Sequence, residues 1–113
     1  MSGVSSGRLR HKVQLQEPRF SQDPETGEMK TVWLTIARLW AEIVPMSARE
    51  FYAASAQQSE VRGRITIRYR ENIDHTMRFV HRGKYYNIFG VMPDADSGIE
   101  HLTLAVGEGV RLT

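Results

Sequence analysis

The sequence contains no cysteine among its 113 residues. This absence excludes disulfides, thiolate nucleophiles and cysteine-ligated zinc sites, and it suits a reducing cytoplasm. No run approaches the ~20 apolar residues of a membrane span, and the Gly- and Ser-rich start before Arg8 lacks the apolar stretch of a signal peptide. We therefore expect no membrane partner, and we expect residues 1–9 to form a flexible N-terminal arm.

Groups that could carry catalysis or hold a metal are also scarce. No glycine-rich phosphate loop precedes a helix. Ser47 has no identifiable partner base. The four histidines lie on separate predicted elements rather than at metal-binding spacing on one helix; they are His11, His75, His81 and His101. We therefore predict no catalytic residues, no metal site and no cofactor, and we predict that the protein is not an enzyme.

The composition is that of an ordinary folded protein, with 41% hydrophobic and 25% charged residues. A chain of this length accommodates one core, so residues 10–113 are predicted to be a single domain. The net charge of +2 is unevenly distributed, because residues 61–84 carry seven basic and two acidic residues. Opposed charged regions of this kind can steer a polyanion or dock a neighbouring acidic surface.

Alternation of apolar and polar residues dominates the chain, and a period of two is typical of strands with one buried face. Loops are predicted at residues 18–28 and 93–98, where Pro, Gly and Asp cluster, and the glycines at 107 and 109 are placed after the last strand. Trp40 falls in a strand with apolar residues on both faces, which predicts that it lies in the core. The predicted strands are residues 12–17, 29–35, 38–44, 61–69, 77–81, 84–91 and 99–106.

One short helix is predicted after Pro45. Ser47 and Glu50 have the spacing of a capping box, in which each side chain bonds to the other residue's backbone amide. The helix should run over residues 48–59 with a narrow apolar stripe that includes Phe51, so we expect it to lie on the sheet. The predicted fold is mostly β, a small antiparallel β-barrel or sandwich of six to seven strands with this one helix.

A row of arginines is the strongest candidate binding feature. Strand alternation places Arg62, Arg64 and Arg68 on one side at about 7 Å per two residues, a pitch that can follow phosphates, and Arg70 extends the row. The same row can also be nothing more than a solvated sheet face, which is the commoner arrangement because antiparallel sheets often expose one polar face. It also allows an alternative function, a small β-barrel nucleic-acid-binding module of the oligonucleotide-binding type that uses this basic face.

The order of these elements resembles the tailed-phage head-closure, or head-tail joining, family across nearly the whole chain. A series of short segments carries the resemblance, and it is their order and spacing together that is specific. The segments are Gly7-Arg8-Leu9-Arg10-His11, Thr31-Val32-Trp33, Leu39-Trp40-Ala41-Glu42-Ile43-Val44-Pro45, Ser47-Ala48-Arg49-Glu50-Phe51, Ile65-Thr66-Ile67-Arg68-Tyr69-Arg70 and Gly83-Lys84-Tyr85-Tyr86-Asn87-Ile88.

The resemblance implies a β-barrel subunit of the head-tail connector of a phage or prophage. Such a subunit would assemble as a ring, twelvefold in the virion, below the portal or adaptor, close the DNA channel and offer a surface to the tail. The implied partners are further copies of the chain, portal or adaptor proteins, tail proteins and packaged double-stranded DNA held by non-specific contact. Assembly would take place in the host bacterial cytoplasm. The family has no catalytic residues to carry over, so the candidate sites are interfaces: Arg62, Arg64, Arg68 and Arg70 toward a neighbour or the DNA channel, and a docking helix with Ser47, Arg49, Glu50 and Phe51.

Overall fold

A computed structural model describes residues 8–93 and 100–109 of the chain. Within these residues, six antiparallel strands close into a barrel in the order β1-β2-β3-β6-β5-β4, which confirms the mostly β prediction and selects the barrel over the sandwich. Most of the predicted N-terminal arm and of the loop at 93–98 lies outside the described residues. The elements are β1 (His11–Gln22), β2 (Met29–Pro45), α1 (Ala48–Ala56), β3 (Gly63–Arg68), β4 (Arg78–His81), β5 (Lys84–Pro93) and β6 (His101–Gly109).

The core fills the inside of the barrel with alternate residues of each strand. Aliphatic and aromatic side chains from all six strands meet there, as period-two patterning requires. Full burial of each such side chain contributes about 1.5–3 kcal/mol to folding. The largest fully buried residues are Phe79, Leu15, Ile65, Ile67, Ile88, Leu104, Val13 and Val106.

Strands β1 and β2 are longer than predicted. The expected loop at 18–28 is wrong over its first five residues, because β1 continues to Gln22. The two separate strands expected at 29–35 and 38–44 are one strand, β2. Pro18 pairs with Trp33 in this ladder, and proline is tolerated there because β1 is an edge strand beyond its short pairing with β4. Local turn signals were overridden by pairing between distant residues.

The outer part of the β1–β2 ladder projects from the barrel as a two-stranded ribbon, which we call the hairpin extension and define as residues 16–35. Leu15 pairs with Ala37 and Gln16 with Thr35, so one extra residue of β2 forms a bulge where the extension begins. The tip is a turn in which Asp23 Oδ1 accepts a hydrogen bond from the Glu25 amide at 2.8 Å. The molecule is elongated, with principal extents of 57, 32 and 24 Å.

Trp40 is not in the core, and this prediction is wrong. Its side chain is 54% exposed, whereas the next residue, Ala41, is fully buried. Leu39 and Ile43 pack on the core from the same side as Ala41. The alternation along β2 was read correctly, but the inner face is the one with the smaller side chains, and the indole points outward.

The ends of two elements also differ from the predictions. The helix ends at Ala56 rather than near residue 59, with Gln57 as its C-cap. The last strand does not stop at residue 106, because Gly107 pairs with Asn87 and β6 continues to Gly109. A Cβ atom at position 107 would lie 2.4 Å from the carbonyl oxygen of Glu60, so the glycine allows a close approach of two backbones rather than a loop.

Candidate interaction surfaces

The predicted capping box is present at the start of α1. The Ser47 hydroxyl accepts a hydrogen bond from the Glu50 amide, and the Ser47 amide donates to Glu50 Oε1, both at 3.2 Å. These bonds from Ser47 backbone and side chain, with a smaller contribution from Arg64, hold the pKa of Glu50 below its ordinary value. The cap fixes where the helix starts and in which direction it leaves the barrel.

The helix carries an exposed surface. None of its residues is buried, so the expectation that it packs its stripe on the sheet is wrong. Phe51 is 42% and Tyr52 72% exposed, with their rings in edge contact at 5.9 Å between centroids. Its links to the barrel are a cation–π contact of Arg62 with Phe51 at 5.0 Å and an ion pair of Arg64 with Glu50 at 3.9 Å. A nine-residue helix with one narrow apolar stripe has too little surface to bury itself.

The four arginines of the predicted row have different environments. Arg62 is half-buried, and its Nη1 donates to the carbonyl oxygens of Ser59 at 2.7 Å and Val61 at 2.9 Å. Arg64 and Arg68 are exposed on the outer face of β3, and Arg70 is exposed after the strand has ended. The outward-facing cations of the strand itself are therefore Arg64 and Arg68.

A patch that the sequence did not single out surrounds Trp40 on the outside of the barrel. Lys12 pairs with Trp40 across β1 and β2 and places its ammonium nitrogen 4.8 Å from the ring centroid. Arg38 lies two residues along the same face. The β2–β3 ladder ends with Ala41 opposite Ile67, which puts Arg68 level with Trp40 on the neighbouring strand. We call Lys12, Arg38, Trp40 and Arg68 the basic patch.

The hairpin extension has large apolar side chains in solvent. Phe20 is 72%, Met29 62% and Val32 54% exposed. Phe20 and Met29, together with Pro18 and Trp33, line an open groove of about 850 Å³ along one side of the ribbon. An exposed apolar surface of this size on a small domain is typical of an interface.

The histidines and acids of the described residues form no cluster that could hold a metal ion. Two of the histidines do come together, since the rings of His11 and His81 are in edge contact at 5.2 Å. Across residues 8–93 and 100–109, however, no group of three or more His, Asp or Glu side chains could hold a metal ion. No helix in this part of the chain is long and apolar enough to cross a membrane.

Comparison with known proteins gives one family and two similar folds. The family model described as phage head completion protein matches residues 4–109. A protein from Shigella flexneri 2a, solved in solution, is 30% identical with a TM-score of 0.72, over 96% of this chain and 100% of that one. A chain from the virion of a native gene transfer agent particle has the same fold at 17% identity and a TM-score of 0.59, over 90% of this chain and 96% of that one. No curated protein matches the chain.

Proposed function

The chain belongs to the phage head completion protein family and is a structural protein of the phage head, and from this we propose that it is a subunit of the head-tail connector. In this proposal several copies form a ring below the portal or adaptor, close the DNA channel and present the surface to which the tail attaches. The protein acts by shape and contact, without catalysis.

The observation that carries the proposal is the extent of the family match. It spans residues 4–109 and therefore includes the barrel, the hairpin extension and α1 rather than a fragment of the fold. We therefore propose the family's function for all the surfaces described above, since each lies within the matched residues.

The exposed surfaces support an assembled state. Phe20, Tyr52, Met29 and Trp40 are each more than half exposed, and they lie on three separate features: the hairpin extension, α1 and the basic patch. A small domain gains stability by burying such side chains against neighbours. A subunit of such a ring contacts two neighbouring subunits, the portal or adaptor above it and the tail below it. It therefore needs several distinct contact surfaces.

We propose roles for two surfaces of the connector subunit. The capped helix α1, with Arg49 and Phe51 in solvent, is the docking element toward portal, adaptor or tail proteins. Arg64 and Arg68 face a neighbouring subunit or the DNA channel, where non-specific contact with phosphates would require positive charge without base recognition.

The proposal is tested by producing particles from the phage genes with and without this chain. With the chain present, we expect it in purified particles, DNA that resists added nuclease, and attached tails. Without it, we expect filled heads that lose DNA and carry no tails, and adding the purified chain should restore tail attachment. Particles that complete normally without the chain would contradict the proposal.

A further inference from the structure

The outer face of the β1–β2 ribbon has opposite charges at its two ends. The basic patch lies where the ribbon is part of the barrel. The other end is the turn at residues 23–28, which carries Asp23, Glu25 and Glu28 and which we call the acidic turn. From Gln14 to Gln22 along β1 is eight residues, or about 26 Å at 3.3 Å per residue, so the two ends cannot meet within one chain.

Most of the charges at the two ends lack ion-pair partners within the described residues. Asp23 pairs with Lys30 at 3.9 Å, but neither Glu25 nor Glu28 takes part in an ion pair there, and the same holds for the three cations of the basic patch. Glu42, which follows Trp40 by two residues on the same face of β2, is already engaged by Arg8 at 2.6 Å. Each end therefore has unsatisfied charge of one sign.

Each end also carries large exposed apolar side chains on the outer face of the ribbon. Phe20 and Met29 lie directly behind the acidic turn on the side that continues the outer face of Trp40, and all three side chains are more than half exposed. Tryptophan and arginine, both present in the basic patch, are among the residues that dominate protein interfaces. Charge at the rim with apolar contact in the middle is the usual anatomy of an interface.

We propose that the acidic turn of one subunit docks on the basic patch of a second copy of this chain. Glu25 and Glu28 of the one lie against Lys12, Arg38 and Arg68 of the other, and the Phe20 side of the extension covers Trp40. The occupant is another copy because one chain carries both complementary surfaces, about 26 Å apart, on one two-stranded ribbon. The inference rests on the proposed ring, and it makes the contact heterologous: each subunit extends its hairpin to the next one.

Cysteine cross-linking tests the contact, and the chain offers a cysteine-free background. Thr26→Cys in the acidic turn and Gln14→Cys beside Arg38 leave all the charges in place. A disulfide requires Cα atoms within about 7 Å, so these two positions cannot be bridged inside one chain. Oxidation of the concentrated double variant should give a covalent ladder of dimers, trimers and higher species on a non-reducing gel. The matched control, Thr26→Cys with Ser55→Cys on α1, should not.

Charge reversal supplies the second test. In the Thr26→Cys, Gln14→Cys background, either Glu25→Lys with Glu28→Lys or Lys12→Glu with Arg38→Glu should reduce the ladder at least about tenfold, because like charges are then opposed. All four reversals together should restore it. A ladder no stronger than the control, or one insensitive to these reversals, would overturn the inference.

The outcomes separate this inference from the proposed function. Products that stop at the dimer would mean a two-fold pair and would overturn the head-to-tail contact. Particles that take up the double variant, keep their DNA and yet show no cross-link would refute the contact while leaving the connector function in place. A ladder from a chain that never enters particles would support the contact and count against the function.

Discussion

Arg78 and Trp33 are stacked at the base of the hairpin extension, with the guanidinium carbon 4.0 Å from the indole ring centroid. The same guanidinium carbon lies 4.3 Å from the ring centroid of Tyr85. Arg78 Nε also donates to Gln16 Oε1 at 2.8 Å. This arginine is only 6% exposed, so one buried cation ties β4 to β1, β2 and β5 at the point where the extension leaves the barrel.

We predict that Arg78→Ala costs about 2–4 kcal/mol in the free energy of unfolding, because it removes a desolvated cation–π contact and a charged hydrogen bond. Arg78→Lys keeps the charge but loses the planar stacking and should recover only part of that loss. Urea denaturation measures both variants. Equal midpoints for wild type and Arg78→Ala would show that the stacked arginine is energetically neutral.

Substitutions of Trp40 and Leu15 by alanine should have different effects on stability. Trp40 is more than half exposed and Leu15 is fully buried. Trp40→Ala should therefore change the stability of the free chain by about 1 kcal/mol or less, whereas Leu15→Ala should cost about 2–5 kcal/mol. Thermal unfolding of the two variants and of the wild type measures both losses of stability. A large loss for Trp40→Ala would mean that the indole is buried in the free protein.

Ser47→Ala removes the hydroxyl that caps α1. We expect about 1 kcal/mol of lost stability and a small rise in the pKa of Glu50, because the side-chain hydrogen bond from Ser47 is lost while the backbone amide of residue 47, the larger cause of the lowered pKa, remains. A lowered pKa in the folded state means that the stabilisation from the ionised Glu50 carboxylate is full above the unfolded value of 4.5 and is lost as the pH falls through the folded one. An NMR titration of the Glu50 carboxyl follows this directly. An unchanged pKa in Ser47→Ala would contradict the capping account.

Arg64→Glu together with Arg68→Glu tests the outer face of β3. Both side chains are exposed, so the double variant should fold with nearly wild-type stability. It should nevertheless fail to join filled heads or should let packaged DNA leak. Normal assembly and DNA retention by this variant would mean that the two arginines are only solvated. Retention of the wild-type chain on single-stranded DNA at physiological salt, abolished by the double change, would instead favour the nucleic-acid-binding module.

The features that local patterning controls were predictable from the sequence. The capping box follows from hydrogen bonds between residues three apart, and it is present as predicted. Period-two alternation predicted the inward-facing residues of β3. Two of them, Ile65 and Ile67, are fully buried in the barrel. The mostly β fold followed from the same alternation.

The features that depend on distant residues were not predictable in this way. Alternation along β2 defines two faces but does not say which is inside, and hence Trp40 was assigned to the core. Turn signals near Pro18 gave no sign that residues 29–34 would pair with β1 and extend it. The basic patch escaped notice because Lys12, Arg38 and Arg68 become neighbours only when three strands align.

We propose that this chain forms the ring that completes the head-tail connector. Electron cryomicroscopy of the isolated connector from particles that contain the chain tests it most directly. The account predicts a closed ring of these barrels between the portal or adaptor and the tail, with each hairpin extension reaching the next subunit. A connector without this chain, or copies of it that lie elsewhere in the particle without forming a ring, would contradict the account.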